Sequence, residues 1–416
     1  MGAIAVIAVI VFAYALFSER LAMTSLTAPM VFTGTGVAIG SYGLGFVDQV
    51  DLEVGVIGIL AEATLTLLLF TDATRIDLRR LKATAQLPVR LLVVGLPLTL
   101  LSGTGLAWWL FGGLGLAGAF ALAAILTPTD AALGKAVVNN QQVPVRVRQT
   151  INVESGLNDG LMLPIVTAAI ALVATAEKLG TAGELAIFAA KQVGFGLVGG
   201  AVVGLAGGFL LDRFAQRGWI EGAFRQLATL AIGVGAFATA EMIGGNGFVA
   251  AFVAGLAFGA VAREHCASAY DFAEDEGELL ALLTFLAFGA TVVGPAVAEA
   301  SLRTVVYALA SLTVVRMIPV FIALLGTRLK RPTIAYIGWF GPRGLASILF
   351  GVFLIEETGD GLSGEIFSTV VVTVVLSMLL HGTTAAPLSL RYAAWFNRSG
   401  RPEMEDSPMP ELPIRG

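Results

Sequence analysis

Long apolar stretches alternate with short polar connections along almost the whole chain. A helix needs about 20 predominantly apolar residues to cross a bilayer, and stretches of that length recur thirteen times in the 416 residues. They lie near residues 2–18, 27–46, 54–72, 88–112, 116–137, 149–175, 184–211, 224–243, 246–262, 278–297, 302–326, 333–355 and 366–388. The pattern predicts an all-α polytopic membrane protein with about 13 transmembrane helices.

Composition agrees with a membrane protein and argues against several kinds of site. Hydrophobic residues make up 56% of the chain and charged residues 13%, whereas a soluble domain carries about 25% charged residues. The 50 glycines suit helices that pack closely within a membrane. One cysteine, Cys266, excludes an intramolecular disulfide, and the two histidines, His265 and His381, are too few for histidine-rich metal chemistry. We therefore expect no cofactor.

Basic residues predict the direction in which the chain crosses the membrane. Most of them lie in alternate connections and in the C-terminal segment: Arg20, Arg75, Arg79, Arg80, Lys82, Arg90, Lys135, Arg146, Arg148, Arg213, Arg217, Arg225, Arg263, Arg328, Lys330, Arg331, Arg391, Arg398, Arg401 and Arg415. The intervening connections carry only Lys178 and Arg303. Because Lys and Arg accumulate on the cytoplasmic side, we expect an outer N-terminus, a cytoplasmic C-terminus and a location in the plasma (inner) membrane. The first apolar stretch lacks a preceding basic region, so we interpret it as a retained helix.

Two of the predicted spans are interrupted by helix-breaking residues. The fifth span is broken at residues 127–130 (TPTD) and the twelfth at residues 341–344 (GPRG), seven spans later. An odd offset predicts two inverted six-helix repeats, and paired interruptions of this kind point to a transporter's binding site. Two unrelated proline kinks are the alternative. Asp130 can offset the positive ends of the broken helices and Arg343 the negative ends.

The sixth span carries polar residues near its start. Each carboxylate in an apolar span costs roughly 2.5–3.5 kcal/mol on insertion scales, so Glu154 and Asp159 need a partner, an ion or a proton. Ser155 and Asp159 share one helix face, while Glu154 and Asn158 share another about 100° away. The spacing predicts that the first face offers oxygens to a cation and that the second is buried against a neighbouring helix.

An arginine in the eleventh span also needs a counter-charge. Arg316 lies near the middle of that span, and Glu154 is its leading candidate partner. Arg343 is the second candidate partner for Glu154, and snorkelling of Arg316 to the membrane surface is a further alternative. Glu62, in the middle of the third span, is expected to face the cytoplasmic funnel or to pair with a threonine or an arginine.

These motifs together resemble those of the NhaP-type sodium/proton antiporters, which belong to the monovalent cation:proton antiporter-1 family and are related to animal sodium/proton exchangers. The resemblance covers nearly the whole chain and is most specific at residues 154–160 (ESGLNDG), with further matches at Thr129-Asp130, residues 341–344 and residues 69–72 (LFTD). The family usually has proline after the Thr-Asp pair, whereas this chain has Ala131. The break is therefore expected to shift by about a turn.

The resemblance implies a homodimer with a dimerisation side and a mobile core. The implied divisions are helices 1–3 at 1–85, core helices 4–6 at 86–180, linker helix 7 at 181–215, helices 8–10 at 216–300, core helices 11–13 at 301–390, and a short cytoplasmic tail at 391–416. The tail is rich in Pro and Glu, and we expect it to be disordered from about residue 390.

The resemblance also implies roles for individual residues. The residues implied to bind the transported Na⁺ or H⁺ are Asp159, Ser155 and Thr129, with Asp72 as a further candidate. The implied structural polar cluster consists of Glu154, Asn158 and an arginine, which we assign to Arg316 with Arg343 second, together with Asp130.

The residues predict how exchange works. Asp159 is expected to bind either a cation or a proton, since burial favours the neutral form of a carboxylate. If Glu154 stays ionised against Arg316 and Asn158 cannot titrate, one proton exchanges for one monovalent cation and transport is electroneutral. We expect Na⁺/H⁺ exchange that serves pH homeostasis, with K⁺ or Li⁺ as alternative cations.

Other classes of function fit the residues less well. A cation channel uses a symmetric ring of carbonyls or acids, whereas this chain offers a single Asp159 beside a predicted ion pair. A membrane aspartyl protease needs two carboxylates that share a proton, whereas Glu154 is expected to pair with Arg316. A carrier that couples protons to another substrate remains as an alternative. We expect a transporter and not an enzyme, acting on monovalent cations and protons in a lipid bilayer, with no nucleic-acid partner.

Overall fold

The computed structural model describes residues 2–22, 24–46, 54–76, 86–130, 133–176, 182–262, 267–359, 361–400 and 403–407. Within these ranges the ordered elements are helices, and none is a strand. The helices are α1 Gly2–Ala22, α2 Ala28–Ile39, α3 Val54–Arg75, α4 Gln86–Leu110, α5 Gly115–Leu126, α6 Lys135–Val138, α7 Val145–Ala176, α8 Ala182–Gln216, α9 Gly222–Met242, α10 Gly247–Val261, α11 Ala267–Phe288 with its continuation to Ala298, α12 Leu302–Leu312, α13 Val314–Ala323, α14 Arg331–Trp339, α15 Leu345–Thr358, α16 Gly361–Arg398 and α17 Glu403–Asp406. Ala131, His265 and Cys266 lie outside the described residues.

Within the described residues, seven helical stretches are long and apolar enough to cross a membrane. They are Gln86–Leu110, Val145–Ala174, Ile187–Gln216, Gly222–Met242, Asp275–Ala298, Leu302–Ala323 and Gly364–Arg398. Three shorter apolar helices accompany them, at Ala28–Ile39, Gly112–Leu126 and Gly247–Val261. These lengths and compositions confirm an all-helical, multi-pass membrane protein. Each of the thirteen predicted stretches contains at least one helix, while the count of thirteen membrane crossings and the inverted repeat stay predictions.

Glycines allow some of these helices to touch backbone to backbone. A Cβ atom added at Gly255 or Gly259 of α10 would overlap the carbonyl oxygens of Phe70 and Thr74 on α3. On another face of α10, Gly200 and Gly204 of α8 meet the backbone of Ala250 and Ala254 in the same way. Small residues are the usual means of close helix packing in membranes, so α3, α10 and α8 form a tightly packed layer.

The two predicted interruptions are present in the structure. The fifth stretch is helical as far as Leu126 and resumes at Lys135, and the twelfth is helical as far as Trp339 and resumes at Leu345. A third interruption, at Thr313 between α12 and α13, has the backbone angles φ −114° and ψ −90°. The sequence had not predicted it, because no glycine or proline marks Thr313 itself.

The chain beyond residue 390 differs from the expected disordered tail. Helix α16 continues to Arg398, and Tyr392 and Phe396, one turn apart, are buried on its inner face. Further on, Glu405 is buried and accepts hydrogen bonds from the Lys330 backbone N–H at 2.9 Å and from Thr333 Oγ1 at 2.8 Å. A carboxylate at the N-terminus of α14 is favourable, so the prediction of disorder was wrong for residues 391–400 and 403–407.

Candidate ion-binding site

The two interruptions contact each other, and Asp130 joins them. Its backbone N–H donates to the carbonyl oxygen of Pro342 at 2.8 Å, and its carboxylate oxygen Oδ2 accepts from the Leu345 N–H at 2.8 Å. The other carboxylate oxygen accepts from the Leu133 N–H at 3.2 Å. Asp130 therefore lies at the positive N-terminal end of α15, where a negative charge is stabilised, as the sequence had suggested.

A cluster of hydroxyl and amide groups lies beside the contact between the two interruptions. The hydroxyl oxygens of Thr129 and Ser155 are 3.0 Å apart. The side-chain amide of Asn158 donates to Thr129 Oγ1 at 2.5 Å, and its oxygen accepts from the Thr129 N–H at 3.3 Å. All three side chains are buried. The structure thus brings Thr129 of the fifth stretch onto the polar face of α7.

Asp159 follows Ser155 by four residues on α7 and shares its helix face. Its carboxylate oxygen Oδ1 is buried and has no hydrogen-bond partner in the part of the chain that the structure describes. A buried polar atom without a partner is costly, and a cation or a proton is the group that would satisfy a carboxylate oxygen. The site therefore combines one unpartnered carboxylate oxygen with neighbouring hydroxyl oxygens.

Glu154 pairs with Arg316, which decides between the two candidate arginines. Arg316 Nη1 lies 2.7 Å from Glu154 Oε1 and Nη2 lies 2.6 Å from Oε2, and each side chain is 1% exposed. Such a bidentate pair is among the stronger hydrogen-bonded contacts in proteins. Arg343 is also buried, but it donates to the Gly341 carbonyl oxygen at 2.6 Å, just after the C-terminal end of α14.

Asp72 lies on α3, outside the two interrupted stretches and α7. It is half-buried near the end of α3, whose main neighbours are α10 and α11. The hydrogen bonds that join Thr129, Ser155 and Asn158 are made without it. A role for Asp72 as a cation ligand stays a prediction.

The side chains around the two interruptions include one more acidic group than basic groups. The carboxylates are those of Asp130, Glu154 and Asp159, and the guanidinium groups are those of Arg316 and Arg343. With all five groups ionised, one further positive charge would make the cluster neutral. One bound proton or one monovalent cation would supply it.

A cavity of about 260 Å³ lies beyond Asp159, in the direction of the C-terminal end of α7. Thr167, two turns further along α7, lines it together with Glu62, Glu241 and Glu357. Glu62 lies in the first half of α3. Its expected place at the cytoplasmic funnel, or its pairing with a threonine or an arginine, stays a prediction. The sequence analysis missed Glu357, whose position at the end of α15 was the available signal.

The described residues contain no group of three or more His, Cys, Asp or Glu side chains that could hold a metal ion.

The sequence matches a family model and several known antiporters. The family model described as "Sodium/hydrogen exchanger, transmembrane" matches residues 6–391. The K⁺/H⁺ antiporter NhaP2 of Shewanella oneidensis is 24% identical over 382 residues, which cover 89% of this chain and 64% of that protein. The Na⁺/H⁺ antiporter NhaS2 of Synechocystis is 31% identical over 217 residues, which cover 48% of this chain and 35% of that protein.

A solved structure shows the same fold. The sodium proton antiporter MjNhaP1 from Methanocaldococcus jannaschii superposes with a TM-score of 0.73 at 20% identity, covering 94% of this chain and 100% of that one. The chain spans about 64% of the length of the NhaP2 relative. The matches confirm the resemblance to NhaP-type antiporters, and since the family model covers most of the sequence, the chain belongs to the family of transmembrane sodium/hydrogen exchangers.

Proposed function

We propose that this chain is a secondary active antiporter that exchanges a monovalent cation for protons across a membrane. The observation that carries the proposal is the buried Asp159 carboxylate oxygen, which lacks a protein partner among the described residues and lies one helical turn from Ser155. Na⁺ is the first candidate cation. K⁺ is the alternative, because the NhaP2 relative that aligns over 89% of this chain is named a K⁺/H⁺ antiporter.

Competition at one carboxylate explains the exchange. Asp159 binds a proton or a cation but not both, while Ser155 and Thr129 supply hydroxyl oxygens to the cation. Glu154 is held by Arg316 and takes no part in the exchange. Moving an uncompensated charge through a dry barrier is costly, so the site crosses only when an ion or a proton neutralises Asp159.

The proposed moving unit consists of the two interrupted stretches and their neighbours. It comprises core helices 4–6 (residues 86–180) and 11–13 (residues 301–390, extended to 398 by α16). Two contacts support this division, because Asp130 joins the fifth stretch to α15 and Glu154–Arg316 joins α7 to α13. Residues 1–85 and 216–300 form the dimerisation side, and 181–215 the linker. The proposed topology is thirteen crossings with inverted repeats and a cytoplasmic C-terminus in the plasma membrane.

Substitution of Asp159 tests the proposal directly. Asp159→Asn keeps the size of the side chain and removes the exchangeable charge, so cation-driven pH change in proteoliposomes should disappear with Na⁺, K⁺ and Li⁺ alike. Asp212→Asn is the matched control, since Asp212 lies on α8, outside the proposed site, and accepts a surface hydrogen bond from Gln216. This variant should exchange normally. Sustained exchange by the Asp159→Asn protein would remove Asp159 from the site.

Membrane potential tests the stoichiometry. Because the acidic groups around the two interruptions exceed the basic groups by one, one proton should replace one cation. No net charge should then move. A valinomycin-imposed potential should then leave the rate of Na⁺/H⁺ exchange unchanged. A steep dependence of the rate on potential would show that a second group titrates during the cycle.

A further inference from the structure

Helix α16 packs along the interrupted twelfth stretch and presents a row of polar side chains to it. The contacts between them are Tyr392 with Thr333 at 3.0 Å, Ser389 with the Tyr336 hydroxyl at 2.7 Å, and Thr384 with Trp339 Nε1 at 2.9 Å. The row continues past the end of α14 to the interruption itself. At the interruption, His381 and Ser377 of α16 contact backbone atoms instead of side chains.

Both of these residues are buried and bind the backbone of the interruption. His381 Nε2 lies 2.9 Å from the carbonyl oxygen of Trp339, the last residue of α14. Ser377 Oγ accepts a hydrogen bond from the Arg343 backbone N–H at 2.6 Å. The Ser377 hydroxyl also lies 3.2 Å from His381 Nδ1, so the two contacts form one continuous chain.

Both ring nitrogens of His381 face carbonyl oxygens. Nε2 lies 2.9 Å from the Trp339 oxygen, and Nδ1 lies 3.0 Å from the Ser377 backbone oxygen and 3.2 Å from the Ser377 hydroxyl. A carbonyl oxygen only accepts, so the Trp339 contact is a hydrogen bond when the ring carries its hydrogen atom on Nε2. The Ser377 hydroxyl, which accepts from the Arg343 N–H, can then donate to Nδ1.

The same interruption is held from its other side by Asp130. The Asp130 N–H donates to the Pro342 carbonyl and its carboxylate accepts from the Leu345 N–H. The backbone of residues 342–345 is therefore fixed between Asp130 and the Ser377–His381 pair. Asp130 adjoins Thr129, whose hydroxyl contacts Ser155, so a displaced interruption also displaces the hydroxyl oxygens beside Asp159.

We propose that His381 and Ser377 are positioning residues for cation binding, which hold the second interruption in register against Thr129 and Asp130. The proposal rests on the antiport function proposed above and adds to it two residues that do not touch the cation. Groups that orient the ligands of a bound ion typically contribute about 10- to 100-fold to its affinity. The expected signature is a raised KM for the cation with a smaller change in the maximal rate.

Three variants and one control test the proposal in proteoliposomes. Glutamine carries an amide N–H at about the reach of Nε2, so His381→Gln should keep the Trp339 contact and a KM within about twofold of the original. His381→Leu and Ser377→Ala each remove one contact, and each should raise the KM for Na⁺ about 10-fold or more. Ser389→Ala removes a buried hydrogen bond between the same two helices, away from the interruption, and should leave the KM unchanged.

The outcomes separate this proposal from the one on which it depends. If the unsubstituted protein exchanges no alkali cation for protons, the antiport function fails and the positioning role fails with it. If it exchanges normally but His381→Leu and Ser377→Ala leave the KM unchanged, only the positioning role is wrong. An equal rise in KM for Ser389→Ala would also overturn it, since the effect would then reflect general loosening of α16.

Discussion

Two ion pairs connect distant parts of this chain, and they differ in almost every physical respect. Glu154 and Arg316 form a bidentate contact with each side chain 1% exposed. Lys135 and Glu278 form a single contact of 2.7 Å with side chains 21% and 43% exposed. The first pair lies within the proposed core, between α7 and α13. The second joins α6, in the proposed core, to α11 on the proposed dimerisation side.

The difference shows how one kind of interaction serves two purposes. A buried pair gives little net stability compared with apolar residues, but removing one partner leaves an uncompensated buried charge. A partly exposed pair can open and exchange its contact for water at small cost. Glu154–Arg316 is therefore suited to a permanent connection within a moving unit. Lys135–Glu278 is suited to a contact that breaks when that unit moves.

The largest expected effect comes from breaking the buried pair. Glu154→Gln or Arg316→Gln should each lower the free energy of unfolding by about 3–5 kcal/mol, because the remaining charge is buried without its partner. Thermal unfolding in detergent measures the loss, and the double substitution should recover part of it. Asp159→Asn, which leaves the pair intact, is the matched control and should destabilise the protein much less.

A double-mutant cycle on these residues also tests which arginine is the partner of Glu154. Coupling of Glu154 with Arg316 should be large, since their side chains are in contact. Coupling of Glu154 with Arg343 should be clearly smaller, because the Arg343 guanidinium donates to Gly341. A larger coupling with Arg343 would assign the pairing to the twelfth stretch.

The sequence predicted those features that have a local signal, such as a proline, a glycine or a helical spacing. The interruptions at 127–130 and 341–344 carry proline or glycine in the sequence, so their positions were predictable. The placement of Asp159 with Ser155 followed from helical spacing alone. The choice of Arg316 over Arg343 stayed open, because the direction of a side chain after an irregular segment depends on backbone angles such as those at Thr313.

Other features depended on contacts between distant segments and left no local signal. Lys135 was counted only as a basic residue of a connection, and nothing near it in the sequence indicates Glu278. Glu62 shares a cavity with Glu241 and Glu357, a grouping of three separate segments that its own span does not indicate. The C-terminal segment was expected to be disordered from its Pro and Glu content, and Glu405 is buried only because α14 begins beside it.

An intermediate effect is expected at Asp130. Its charge is stabilised by the N-terminal end of α15 and by backbone N–H groups. Replacing a capping side chain by alanine costs about 0.5–2 kcal/mol, so Asp130→Ala should lower the free energy of unfolding by that amount. Asp130→Asn, which keeps an oxygen acceptor, is the control and should recover part of the loss. A loss as large as that of Glu154→Gln would show that Asp130 contributes more than a helix cap does.

The smallest effect on stability is expected at the exposed pair. Exposed ion pairs contribute about 0–1 kcal/mol, so Lys135→Gln and Glu278→Gln should each change the free energy of unfolding by less than about 1 kcal/mol. Their coupling should also weaken with added salt, because the Debye length falls from about 10 Å at 0.1 M to about 3 Å at 1 M. The coupling of Glu154 with Arg316 should hardly change under the same conditions, since buried pairs are screened much less.

Transport should respond to Lys135 and Glu278 even though stability does not. If the core moves relative to α11, the 2.7 Å contact must break in each cycle, and its loss favours the conformation in which the two groups are apart. Lys135→Gln and Glu278→Gln should therefore change the rate of exchange in the same direction, and the exchanged pair Lys135→Glu with Glu278→Lys should return it toward the original. Rates of exchange by the three variants in proteoliposomes measure this. Unchanged rates in both single variants would mean that the contact persists throughout the cycle and that α6 and α11 move together.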